Sequence, residues 1–79
     1  MKLPRDLSGI DLVDYLIRRW AYEKVHQVGS HIILQTQVPT PHRISIPAHK
    51  VLRIGTLNNI VRTIAQHKDV DREQILHGL

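Results

Sequence analysis

Two residues, Gly29 and Ser30, separate "YEKVHQV" (22–28) from "HIILQTQV" (31–38), and both flanking runs have strand composition. A two-residue connection between strands closes an antiparallel hairpin, and glycine at its first position suits a type II′ turn. The segment "PTP" (39–41) then interrupts pairing, because proline has no amide to give to the ladder. A third strand, "HRISI" (42–46), follows with clean alternation: Ile44 and Ile46 on one face, Arg43 and Ser45 on the other. Pro47 ends it. The centre of the chain is therefore a three-stranded antiparallel meander.

On both sides of this meander the period changes. From about Ser8 to Trp20 the apolar residues Ile10, Val13, Leu16, Ile17 and Trp20 recur at helical spacing. Ser8 is placed to cap the first turn, with Asp11 at N3, and Leu7 and Leu12 are spaced as a hydrophobic staple. Beyond the connection "AHKVLRIG" (48–55), Thr56 is expected to cap a second helix, "LNNIVRTIAQH" (57–67), with Leu57, Ile60, Val61, Ile64 and Ala65 as its apolar stripe. A short last helix begins at Asp71, where Asp71 and Gln74 form a capping-box pattern and Val70 and Ile75 a staple. The expected class is α+β: helix, three antiparallel strands, helix and a small C-terminal helix, with the helices on one face of the sheet.

At 79 residues the chain is read as a single domain, 1–79, without internal repeat or low-complexity stretch. Its longest aliphatic run is Ile32-Ile33-Leu34, far short of the ~18 residues of a membrane span, and "MKLPRDLSG" lacks the apolar centre of a signal peptide. With no cysteine, disulfides and thiolate metal sites are excluded, which fits a cytoplasmic location. Eleven Lys and Arg against seven Asp and Glu give a net charge of +4, a balance that leans toward a polyanionic partner such as RNA.

Strand period also assigns faces. If Ile32 and Leu34 point inward with Ile44 and Ile46, then His31, Ile33 and Gln35 point outward beside Arg43 and Ser45. His31 then stands on a rigid, open sheet face.

These residues resemble a known family. "VHQVGSHIILQT" followed by "ISIPAHKVLRIGTLNNIVRTIAQH" is similar to the HicA toxins, mRNA interferases of type II toxin–antitoxin systems. The resemblance runs from "DLSGIDLV" through "VDREQIL"; its most specific parts are Gly29-Ser30-His31, then Pro47 and His49, then Gly55-Thr56-Leu57. It implies a double-stranded-RNA-binding-domain-like α-β-β-β-α fold and metal-independent RNA cleavage, without a cofactor, by the histidine of the Gly-Ser-His motif, here His31. It also implies a HicB-like antitoxin that covers this histidine, and no direct DNA binding without that antitoxin. The chain departs from the family in two places. His26, Gln27 and Val28 stand where basic residues often precede the motif, and Trp20-Ala21 stands where a glycine often follows the first helix.

Metal-free RNA cleavage by the adjacent 2′-hydroxyl needs a proton acceptor, a proton donor for the leaving oxygen, and cationic support for the developing phosphorane charge. Histidine suits either proton role, but one histidine does not fill both in one step. Arg43, on the same expected face as His31, is the candidate for phosphate support, with Lys24 and Lys50 behind it. Ser30 is a candidate to orient the imidazole or the phosphate. His49 is a second-rank site residue, and His26, His42, His67 and His77 read as surface or edge residues. The spacing of His31, His42 and His49 matches no metal-ligand motif. Two further readings stay open: a non-catalytic RNA-binding module on the same fold, and a protein-interaction domain presenting Ile33.

Overall fold

In the computed structural model, which describes residues 6–79, Ser8 opens the first helix as its position implies: its hydroxyl accepts the Asp11 amide at 3.0 Å. The elements then follow as α1 (Gly9–Arg19), β1 (Glu23–Val28), β2 (His31–Thr36), β3 (His42–Pro47), α2 (Ile54–Lys68) and α3 (Arg72–Leu76). The sheet has the order β1-β2-β3 with both pairings antiparallel. Gly29 at the hairpin turn has φ +58° and Ser30 does not share that sign, the pattern of a type II′ turn. Among the described residues, no helix is long and apolar enough to cross a membrane.

Ile32, Leu34 and Ile46 line one sheet face and join a single buried cluster with Leu12, Val13 and Leu16 of α1 and Leu57, Val61 and Ile64 of α2. His31, Arg43 and Ser45, on the other face, are exposed. Both long helices therefore cover the same face of the sheet. Each fully buried Leu or Ile contributes about 1.5–3 kcal/mol relative to exposure, so this cluster is the main source of stability.

Four expectations are corrected. The core-facing stripe of α1 is Gly9, Leu12, Val13 and Leu16, whereas Ile10 and Ile17 are 52% and 40% exposed. The cause is Gly9: a Cβ there would overlap the Pro47 carbonyl oxygen, so this residue alone allows the helix to lie backbone against backbone on the end of β3. Its backbone N–H also donates to the His49 carbonyl at 2.9 Å. That contact sets the rotation of the whole helix.

The second correction concerns α2, which starts at Ile54, with Thr56 inside its first turn. Its N-cap, Arg53, makes no side-chain cap bond. The Leu52 amide is held by the Leu7 carbonyl at 2.8 Å and its side chain is buried, so the chain enters the helix directly after this anchor.

Third, β2 ends at Thr36, two residues early, where the Thr36 hydroxyl takes the Val38 amide at 3.2 Å and turns the chain away from the ladder. Fourth, Ile33 is half-buried, packed within the outer face.

The cap of α3 matches expectation, with Gln74 Oε1 accepting the Asp71 amide at 3.0 Å. Ala21 leaves α1 in the left-handed region at φ +60°, which lets the Tyr22 amide reach back to the Leu16 carbonyl at 3.3 Å.

Candidate functional site

The two-residue turn fixes the hairpin register: Val28 opposite His31, Gln27 opposite Ile32, His26 opposite Ile33. On the other side of β2, His31 pairs with Pro47, Ile33 with Ser45 and Gln35 with Arg43. Residues directly opposite in an antiparallel pair share a face. The open face therefore carries two rows across all three strands, Val28–His31–Pro47 and His26–Ile33–Ser45, and a third of Glu23, Gln35 and Arg43.

His31 opens β2 with its ring exposed and its Nδ1 3.4 Å from the Ser45 hydroxyl. This contact is long for a hydrogen bond and orients the ring only loosely. The Ser30 carbonyl accepts the Ala48 amide at 2.6 Å, which ties the turn to the segment carrying His49 and Lys50. His31, Ser30, His49 and Lys50 thus gather at one end of the sheet, and the last three side chains are exposed.

Arg43 shares the face of His31 but not its neighbourhood. Four residues separate Arg43 from Pro47, the partner of His31, a distance of about 13 Å along the strand. The Arg43 Nε donates to Gln35 Oε1 at 2.7 Å, which holds the guanidinium at the far row. Arg43 and Ser45 also border a groove between β3 and α2 whose other wall is Asn59, Ile60 and Thr63. An extended polyanion lying along the face would meet Arg43 at a different phosphate from the one beside His31.

Lys24 is not brought to that face. In a regular hairpin it would stand opposite Gln35, next to Arg43. A bulge between Lys24 and His26 inserts Val25, and Lys24 pairs instead with Leu34, in the core-facing row. Its ammonium lies 3.5 Å from Gln27 Oε1 on that side of the edge strand.

Two further residues of this face lie beside His31. The Ser45 hydroxyl meets the His31 ring, and His26 is the cross-strand diagonal neighbour of His31. Both follow from counting outward from the Gly29-Ser30 turn, a signal already present in the chain.

His42 lies at the opposite end of the β2–β3 ladder from His31, paired with Thr36. There it stacks on His67 with ring centroids 4.2 Å apart, and the His67 Nε2–H donates to the Thr40 carbonyl at 2.9 Å. Beside them Lys68 donates to the Thr36 hydroxyl at 2.9 Å and the Val38 carbonyl at 2.6 Å, and lies 5.1 Å over the Tyr22 ring. Burial pushes the Tyr22 phenol up to about 12 and lowers the Lys68 ammonium. His42 is lowered by burial first, then by the nearby His67 and Lys68 charges. This second cluster joins β2, β3 and α2 and is a packing feature.

No family model matches the chain, and neither a curated protein nor a solved structure matches it significantly.

Proposed function

We propose that this protein is a HicA-like mRNA endoribonuclease on a double-stranded-RNA-binding-domain-like fold, acting in the cytoplasm and held inactive by a HicB-like antitoxin. The observation that carries the reading is His31: an exposed imidazole at the first residue of a central strand, oriented by Ser45 at 3.4 Å, directly after the Gly29-Ser30 turn. The α-β-β-β-α order and the resemblance of the Gly-Ser-His segment support it as well.

The chemistry is transesterification within the RNA. The 2′-oxygen attacks the adjacent phosphorus, its proton passes to a base, and the bond from phosphorus to the 5′-oxygen breaks as that oxygen takes a proton. The products are a 2′,3′-cyclic phosphate and a 5′-hydroxyl. His31 supplies one of the two proton roles, and the Ser30 hydroxyl and Lys50 lie at the same end of the sheet for contact with the phosphate. An open face rather than a deep pocket suits a single-stranded segment laid across the sheet.

The test is cleavage of a single-stranded RNA by wild type and His31→Ala in the presence of a chelator, with toxicity on induction in cells as the parallel readout. A loss of ~10²–10⁴ in rate is expected for the variant, with matched circular dichroism and melting temperature. Equal cleavage by both proteins would reduce His31 to an edge histidine and sink the reading.

A further inference from the structure

The proposed reaction has two proton roles, and His31 fills one. We propose that His26 fills the other, so that the two histidines act as an acid–base pair on one phosphate of a single-stranded RNA. This rests on the ribonuclease reading above and goes beyond it, since nothing in the Gly-Ser-His motif includes residue 26.

His26 pairs with Ile33 and Val28 pairs with His31, so both histidines stand on the open face, one row apart on adjacent strands. Both are exposed. Diagonal neighbours of this kind have Cα separations of about 7–8 Å, with their Cβ atoms somewhat closer. Each imidazole reaches further from the backbone than its Cβ. The separation therefore lets the two rings bracket one phosphorus, with each ring nitrogen within ~3 Å of a different oxygen.

The position of the bulge matters. The irregularity begins after His26, at Val25, so the two rows nearest the turn keep the regular two-residue hairpin register. Glu23 and Lys24, beyond it, are displaced by one position. The bulge thus removes a lysine from the open face while the histidine remains on it. Ile33, half-buried between His26 and Ser45, forms an apolar floor with no competing proton donor. The charged groups that share the face, Glu23 and Arg43, lie a row further along.

His49 is the competing candidate for the second role. It lies beyond the end of the ladder, and its backbone carbonyl is engaged by the Gly9 amide at 2.9 Å. No strand pairing places it on the open face.

In the balanced step, one histidine takes the proton of the 2′-hydroxyl as the oxygen–phosphorus bond forms. The other gives its proton to the 5′-oxygen as the bond from phosphorus to that oxygen breaks. No oxidant, reductant or co-reactant enters. Proton exchange with solvent resets the pair.

The experiment measures cleavage of a fluorescent single-stranded RNA oligonucleotide by wild type, His26→Ala, His31→Ala and His49→Ala across pH 5–9, with melting temperatures recorded for each. A second substrate carries sulfur in place of the 5′-bridging oxygen at the cleaved bond, a leaving group that departs without a proton. For His26→Ala we expect a rate ~10²-fold or more below wild type, a change in KM under ~3-fold, and loss of one limb of the pH profile. The sulfur substrate restores activity to one of the two variants, His26→Ala or His31→Ala, and not to the other. If wild type cleaves, His31→Ala is inactive and His26→Ala keeps both rate and profile, the pair is wrong while the ribonuclease reading stands. Loss of the limb in His49→Ala instead of His26→Ala likewise overturns the assignment, as does rescue of neither or both variants by sulfur. Absence of cleavage by the wild type overturns both readings together.

Discussion

Gly9 of α1 and Pro47 of β3 pack backbone against backbone, and a single added Cβ at Gly9 would overlap the Pro47 carbonyl oxygen. Pro47 is also the cross-strand partner of His31. The helix start, the end of β3 and the proposed catalytic strand are therefore one rigid unit.

Gly9→Ala tests that unit directly. In a free helix the change would stabilise by roughly 0.5–1 kcal/mol. Here overpacking outweighs that gain, and a net loss of about 1–3 kcal/mol is expected. Urea denaturation of the purified variant gives the sign, and a more stable protein would mean that α1 is free to slide off β3.

Ala21 holds φ +60° at the exit of α1, a conformation that glycine adopts without strain. Ala21→Gly should raise stability by about 1 kcal/mol, because relief of the left-handed strain exceeds the added freedom of the unfolded chain. Thermal melts of the two proteins in the same buffer decide it; a lower midpoint in the variant contradicts the assigned backbone.

The sign of the pH response follows from His42. Its folded pKa lies below the ordinary histidine value because it is buried and because His67 and Lys68 lie nearby. As pH falls below about 6.5 the unfolded chain takes up this proton first, which favours unfolding. The contribution is complete above that value and is lost as pH falls through the lower, folded value. Denaturation midpoints should therefore drop between pH 7 and pH 5, and His42→Gln should flatten that slope. A wild-type midpoint that rises on acidification would contradict the placement of His42 beside His67 and Lys68.

Salt distinguishes the two cations whose faces the bulge separates. If RNA lies on the open face, affinity falls with salt by about −0.7 per phosphate contact on a log–log plot. Arg43→Ala should make that slope shallower by about one such increment. Lys24→Ala should leave it unchanged, since Lys24 pairs into the row of Leu34. Fluorescence anisotropy from 50 to 300 mM salt supplies the comparison. A shallower slope in Lys24→Ala and none in Arg43→Ala would mean that the RNA does not lie along the open face.

Much of the open face is legible in the chain itself. The Gly29-Ser30 turn and the alternation of Ile44 and Ile46 with Arg43 and Ser45 are local patterns, and local backbone geometry is enough to set hairpin register and strand face. They put His31, Ile33, Gln35, Arg43 and Ser45 on one side, as observed. The same count would have added His26. The caps at Ser8 and Asp71 are equally local, each formed within one helical turn.

What only the tertiary structure decided involves contacts between distant parts of the chain. A hydrophobicity stripe treats Gly9 as neutral, yet its missing Cβ lets α1 meet Pro47, buries Leu12 and exposes Ile10 and Ile17. The bulge at Val25 reverses the face of Lys24, and no local period announces it. The early start of α2 follows from the bond between Leu52 and Leu7, 45 residues apart in sequence. His42, His67 and Lys68 come together only because β3 and α2 pack at the end of the sheet away from His31. Periodicity reports which face a residue takes within its own element. Where that element is rotated, bulged or anchored is set by steric fit and hydrogen bonds to segments far along the chain, and folding alone brings those into contact.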